Sequence, residues 1–166
     1  MLRLSKKADY ALIAMNHLAH KKGGAPASAS ARDIAERYDI PIELMAKVLQ
    51  RLARTGLLVS TQGTRGGYTL GRPPGSISVA DVIQAIDGPF TVTACSTEKH
   101  DCEQYSKCNV RAPLWQIRER ILSALDTVSL AEMAAESESQ SAAELAVVRR
   151  GAMTASAGVG PRQGQP

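Results

Sequence analysis

Aromatic side chains are scarce in this chain of 166 residues, with one Phe, one Trp and four Tyr. Its core has to be built mostly from Ala, Leu, Ile and Val, which suits packed helices. No uninterrupted run of about eighteen apolar residues is present to cross a bilayer. The opening MLRLSKKADYALIAMNHLAH places Lys6, Lys7 and Asp9 ahead of a short apolar run and lacks a secretory cleavage pattern. A soluble cytoplasmic protein without a membrane partner is expected. Cysteine is rarer still: the only three lie within CSTEKHDCEQYSKC, residues 95 to 108. Reducing cytosol disfavours stable disulfides, so an odd set of clustered thiols points to metal binding or redox sensing.

What the chain does contain is globular in balance, 44% hydrophobic and 22% charged, and long enough for one folded unit. The formal charge of +4 is unevenly spread. Residues 1–75 hold twelve Lys and Arg against five Asp and Glu. That basic N-terminal half makes a nucleic-acid partner the first class to test.

The spacing predicts a first helix over about Lys6 to Lys22, then a flexible loop, GGAPASAS. Ser30 with Asp33 three residues on resembles a capping box, opening a short helix that ends near Tyr38. Pro41 is placed to start the next helix, which sets Leu44, Met45, Val48, Leu49 and Leu52 on one face and ends at Gly56. Two short helices around a tight break, the second basic on its outer face, form a helix-turn-helix. Strands over Leu57–Thr61 and Tyr68–Leu70 then flank a glycine-containing tip, the wing of a winged helix. Ser78 with Asp81 repeats the capping signature before a short helix closed by Gly88 and Pro89. Beyond the cysteines, Pro113 is placed to open a longer helix, with Leu114, Ile117, Ile121, Ala124 and Val128 recurring as a seam that calls for a partner helix. Ser129 is placed to cap a turn or two through Ala135, and the remainder reads as a disordered tail.

The fold class is therefore mainly α with a small β-hairpin wing. Its parts are a winged helix-turn-helix (1–90), a cysteine-rich loop (91–112), a dimerisation helix with a short following helix (113–136) and the tail (137–166). Near the start of the recognition helix, Glu43, Ala46, Lys47 and Gln50 are candidates for base edges. Ser5, Lys6, Lys7, Arg51, Arg54 and Arg65 are candidates for phosphates, and Gln62 and Thr64 share the wing tip with Arg65. A solvated charged face is the bland reading of such a helix. The wing directly after it favours DNA.

The cysteine loop is polar, so burial as small apolar residues explains it poorly. Structural zinc favours ligand pairs about two to four residues apart, and none is present here. An iron–sulfur cluster suits thiolates spaced by several residues, but needs a fourth ligand, for which His100, Asp101 and Asp9 are open. A catalytic cysteine would call for a positioned base, and only His100 lies nearby in sequence. Lys99 and Lys107 beside the thiols keep a metal-free redox sensor in play.

The chain resembles the IscR and NsrR-type bacterial winged-helix regulators that carry an iron–sulfur cluster. The resemblance covers about residues 1–136 and rests on LRLSKKADYAL, the run from ARDIAERYDI to YTLGRP, ISVADVIQAIDG, the three cysteines, and Leu114 with Trp115. It implies a homodimer on a double-stranded operator, with a cluster held by Cys95, Cys102 and Cys108; 2Fe-2S is the expectation and 4Fe-4S the alternative. Some members use a histidine three residues after the last cysteine, a position that is Arg111 here; others use an aspartate in the first helix, and Asp9 stands at that place. The first cysteine gap is six residues rather than five. The opening is most similar to the branch that regulates sulfur-mobilisation (SUF) operons. That implies a repressor of cluster-assembly genes rather than an enzyme, with a nitric-oxide or redox-responsive regulator as the alternative and an iron–sulfur carrier behind both.

Overall fold

The computed structural model describes residues 4–20, 28–63, 66–92, 103–104 and 106–139. The chain falls into two compact units, 1–134 and 135–166. In the first, helix α1 (Lys6–Ala19) is followed by α2 (Ala31–Arg37), α3 (Ile42–Arg54), strands β1 (Leu58–Thr61) and β2 (Gly67–Leu70), a 3-10 turn (Pro74–Ser76), α4 (Val79–Asp87) and α5 (Arg111–Thr127). Residues 130–139 form a last helical stretch, of which 135–139 are the described part of the second unit.

Local chemistry sets the element ends. Ser30 and Ser78 each cap a helix through a reciprocal box with Asp33 and Asp81, satisfying two otherwise orphaned N–H donors per helix. The Asp33 carboxyl is held below its ordinary range, chiefly by the Ser30 backbone N–H and next by its hydroxyl. The turn between α2 and α3 runs through Asp39 at φ 51°, a left-handed conformation that Asp tolerates better than branched residues. Gly88 ends α4 at φ 83°, where any side chain would be strained.

The core lies where α1 packs on α4, α3 and β2, and α2 on α3. Met15, Ile34, Met45, Leu49, Leu52, Ile77, Val82, Ile83 and Leu130 are its largest fully buried side chains. Each contributes roughly 1.5–3 kcal/mol relative to remaining exposed. Much of the buried face of α1 is alanine: Ala8, Ala11, Ala14 and Ala19 accompany Met15 and Leu18.

The hairpin pairs antiparallel, Leu58 opposite Leu70 and Thr61 opposite Gly67. Ala29 adds an isolated bridge to Tyr68, exchanging two backbone bonds of 3.2 and 2.9 Å. This close approach needs Gly67, since a Cβ there would sit 2.8 Å from the Ala29 carbonyl oxygen. A second bridge, Ser78 to Ser129, ties the chain after α5 to the start of α4. It brings Leu130 into the core, the Leu130 N–H donating to the Ile77 carbonyl at 2.8 Å.

The strands start one residue away from the sequence expectation, at Leu58 and Gly67, and three helix boundaries differ as well. The first helix ends at Ala19, not Lys22. Helix α5 begins at Arg111 rather than Pro113, because a proline is tolerated anywhere in a first turn whose N–H groups have no partner within the helix. The helix after Ser129 runs to residue 139, past Ala135; Ser129 and Glu132 form a reciprocal cap with bonds of 2.8 to 3.2 Å. Helix α5 itself contributes no buried residue. Leu114 and Ile121 are half-buried, whereas Trp115, Ile117 and Val128 are exposed.

Candidate nucleic-acid interface

Helix α3 is strongly two-sided. Met45, Val48, Leu49 and Leu52 are buried against the core, which turns Glu43, Lys47, Gln50, Arg51 and Arg54 out to solvent, with Ala46 half-buried at the margin. Arg51 and Arg54 stand in its last turn, where the helix dipole favours cations. Beside this face runs a groove of about 500 Å³, lined by Lys7 of α1, by Leu44, Lys47, Val48, Gln50, Arg51 and Arg54 of α3, and by Ile86 of α4. Four of its side chains are cationic and none is acidic. An apolar floor under a basic rim suits a phosphate backbone that approaches from outside.

The structure brings Lys7 to the same groove as the α3 residues, 40 positions later in the case of Lys47. Lys6 and Lys7 are exposed in the first turn of α1, where the helix dipole disfavours positive charge. Ser5 caps that helix: the Ala8 N–H donates to Ser5 Oγ at 3.1 Å. The Ser5 N–H donates to Asp87 Oδ2 at 3.2 Å and its hydroxyl to Asp87 Oδ1 at 2.5 Å. Both donors of Ser5, expected to meet a phosphate, are thus engaged by Asp87 in this structure. Arg51 is partly engaged too, its Nε donating to the Ala85 carbonyl at 2.9 Å. The guanidinium keeps four further N–H donors in its terminal groups.

On the wing, Gln62 and Gly63 are exposed, Gly63 at φ 121°, while Thr64 and Arg65 lie outside the described residues. Thr61 closes the hairpin across its tip: its Oγ1 donates to the Gly67 carbonyl and accepts from the Gly67 N–H, both at 3.2 Å. Arg72 behind the wing pairs with Asp81 at 3.3 Å on the surface.

Of the expected metal ligands, Cys95 and Cys102 also lie outside the described residues. Cys108 is half-buried, follows a turn closed by the Lys107 N–H on the Gln104 carbonyl at 3.0 Å, and is in no disulfide. Asp9 is half-buried in the first turn of α1. Among the described residues, no three His, Cys, Asp or Glu side chains stand together to hold a metal. No helix there is long and apolar enough to cross a membrane.

Sequence reasoning missed Asp87 and Ile86. Neither carries a local signal, since each acts on residues about 30 to 80 positions away in sequence.

The profile of the Rrf2 family, described as iron-dependent transcriptional regulators, matches residues 4–136. The HTH-type transcriptional regulator IscR of Xenorhabdus nematophila is 37% identical over 138 residues, 82% of this chain and 82% of that protein. Among solved structures, IscR of T. potens superposes with a TM-score of 0.64 at 28% identity, covering 84% of this chain and 90% of the other. CymR of Staphylococcus aureus in its oxidised form superposes with a TM-score of 0.62 at 27% identity, covering 80% and 96%.

Proposed function

This chain belongs to the Rrf2 family of transcriptional regulators, and on that premise we propose that it is a cluster-sensing repressor of SUF-type iron–sulfur assembly genes. It is a regulator and not an enzyme. The observation that carries the DNA-binding part is the groove in which Lys7, Lys47, Gln50, Arg51 and Arg54 converge without an acidic neighbour in its lining. In this reading Glu43, Ala46, Lys47 and Gln50 meet base edges in a major groove wide enough for one helix. Lys6, Lys7, Arg54, Arg65 and the terminal nitrogens of Arg51 neutralise phosphates, while Gln62 and Thr64 follow the backbone from the wing. The protein acts in the cytoplasm as a homodimer joined through α5, whose Trp115 and Ile117 are 41% and 45% exposed among the described residues.

Cys95, Cys102 and Cys108 would hold an iron–sulfur cluster, with Asp9 of the partner subunit as fourth ligand. The donor set fits: three soft thiolates suit such a cluster, and Cys108 is in no disulfide and half shielded from water. The cluster, 2Fe-2S before 4Fe-4S, would supply a redox-sensitive and dissociable charge. The chain's own part is mechanical. Asp9 shares α1 with Lys6 and Lys7, so a bond to its carboxylate biases where those lysines stand. Coupling of this kind requires only that the two states differ in operator affinity.

The deciding experiment is anaerobic spectroscopy of wild type, Cys108→Ser and Asp9→Ala, with DNA binding measured on the same samples. Visible absorbance that Cys108→Ser abolishes and Asp9→Ala alters is expected. A spectrum indifferent to Asp9→Ala would remove that ligand and return attention to His100 and Asp101. A colourless anaerobic protein whose DNA affinity follows thiol oxidation would support the second reading, a redox regulator. The free Cys108 thiol and the likeness to a protein solved in an oxidised form favour it.

A further inference from the structure

The last turn of α4 supports both sides of the basic groove. Ile86 lines it, the Ala85 carbonyl holds Arg51 of α3, and Asp87 holds Ser5, the cap of α1. Asp87 is out of place on electrostatic grounds. It adds negative charge next to a surface meant for phosphates, and it sits at the carboxy-terminal end of α4, where the dipole opposes an anion. Lys6 and Lys7 are out of place in the opposite sense, as cations at the positive end of α1. Asp87 bonds Ser5, the residue just before the two lysines, across 82 residues of sequence. The Asp87 carboxylate places a second anion, after Asp9 of the first turn, at the amino end of α1.

We propose that Asp87 is a positioning residue for DNA binding, whose clasp on Ser5 fixes the first turn of α1 so that Lys6 and Lys7 join the α3 cations on one phosphate-contacting surface. The inference rests on the DNA-binding reading given above. First turns fray when their N–H groups are unsatisfied. A frayed turn would leave the lysines mobile, so each phosphate contact would have to overcome their disorder on binding. Because the clasp is exposed, it adds little to global stability. Its effect falls on where two charges stand.

The test uses a duplex recovered from a randomised library by selection with the wild-type full chain. Affinity is measured across a salt series for wild type, Asp87→Ala, Asp87→Asn, Ser5→Ala and the Ser5→Ala/Asp87→Ala double variant, with thermal unfolding followed for each. Asp87→Ala is expected to weaken binding about fivefold, the scale of one lost hydrogen bond. It should also make the negative slope of log K against log salt shallower by about one to two, at ~0.9 for each phosphate that a lysine no longer neutralises. Asp87→Asn keeps an acceptor and should lose less. In the Ser5→Ala background Asp87→Ala should cost less than in the wild type, because only the bond from the residue 5 backbone N–H is then left to lose. Charge alone predicts the reverse, tighter binding once the acid is gone, and that result would overturn the proposal. So would weaker binding at an unchanged salt slope with a lowered unfolding midpoint, which would assign Asp87 to general stability. If the wild type selects no duplex, the DNA-binding reading itself fails and this inference falls with it.

Discussion

Helices α3 and α5 are of comparable length, 13 and 17 residues, yet their apolar residues meet different fates. Helix α3 buries Met45, Val48, Leu49 and Leu52 within its own chain and displays a polar, basic row; α5 leaves Leu114 and Ile121 only half-buried and displays Trp115 and Ile117. A helix whose apolar row is filled at home is free to present its other side to a hydrophilic polyanion. One whose row is left open is stable in that state only at the cost of exposed hydrocarbon, and a second copy of the chain would remove that cost. In the function proposed above, the difference assigns α3 to DNA and α5 to a second copy of the chain.

The comparison is most easily broken at the core. Leu49→Ala should destabilise the fold by about 2–5 kcal/mol, read by urea or thermal unfolding, whereas Ile117→Ala should change it by under about 0.5 kcal/mol in dilute monomer. Equal losses would show that α5 is packed after all. At the level of partners, Lys47→Ala should weaken specific DNA binding by about 1–3 kcal/mol and leave sedimentation unchanged. Trp115→Ser should do the opposite first, raising the dimer dissociation constant. A smaller effect is expected at the cap of the helix that supports α3: Ser30→Ala should cost about 1 kcal/mol of stability by removing the side chain that accepts from the Asp33 N–H.

The finest comparison is in pH, because both regions carry the same device. Ser30 lowers the Asp33 pKa before α3, and Ser129 lowers the Glu132 pKa after α5. A carboxyl whose folded pKa is depressed contributes stability above its unfolded pKa and loses it as pH falls through the folded value. Asp33→Asn and Glu132→Gln should therefore each narrow their difference from wild type as the solution is acidified through and below the ordinary carboxylate range. If either difference persisted undiminished in acid, that cap would be acting through shape rather than charge.

Much of this architecture was legible because its determinants are local. Ser30 with Asp33, Ser78 with Asp81, Pro41 before α3 and Gly88 after α4 each act within a few residues, and the row from Met45 to Leu52 repeats at helical spacing. The basic face of α3 followed from that row by exclusion. What could not be read was tertiary. Nothing near Ser5 indicates that Asp87 will take its donors, nor does anything near Arg51 indicate that the Ala85 carbonyl will hold its Nε. The helical run to residue 139 was hidden by its polar composition, which in isolation resembles a solvated tail. Pro113 misled in a different way, since a first-turn proline marks the neighbourhood of a helix start without fixing the residue.

The alanine face of α1 has a consequence for how this protein can change over generations. At Ala8, Ala11 and Ala14, all fully buried, every replacement except glycine adds volume, and glycine loosens the helix. Mutational drift there is one-directional, since it can only push α1 outward from its neighbours. The inventory of tolerated residues at these three sites should be far narrower than their small hydrophobic contribution suggests, because what they hold constant is a spacing.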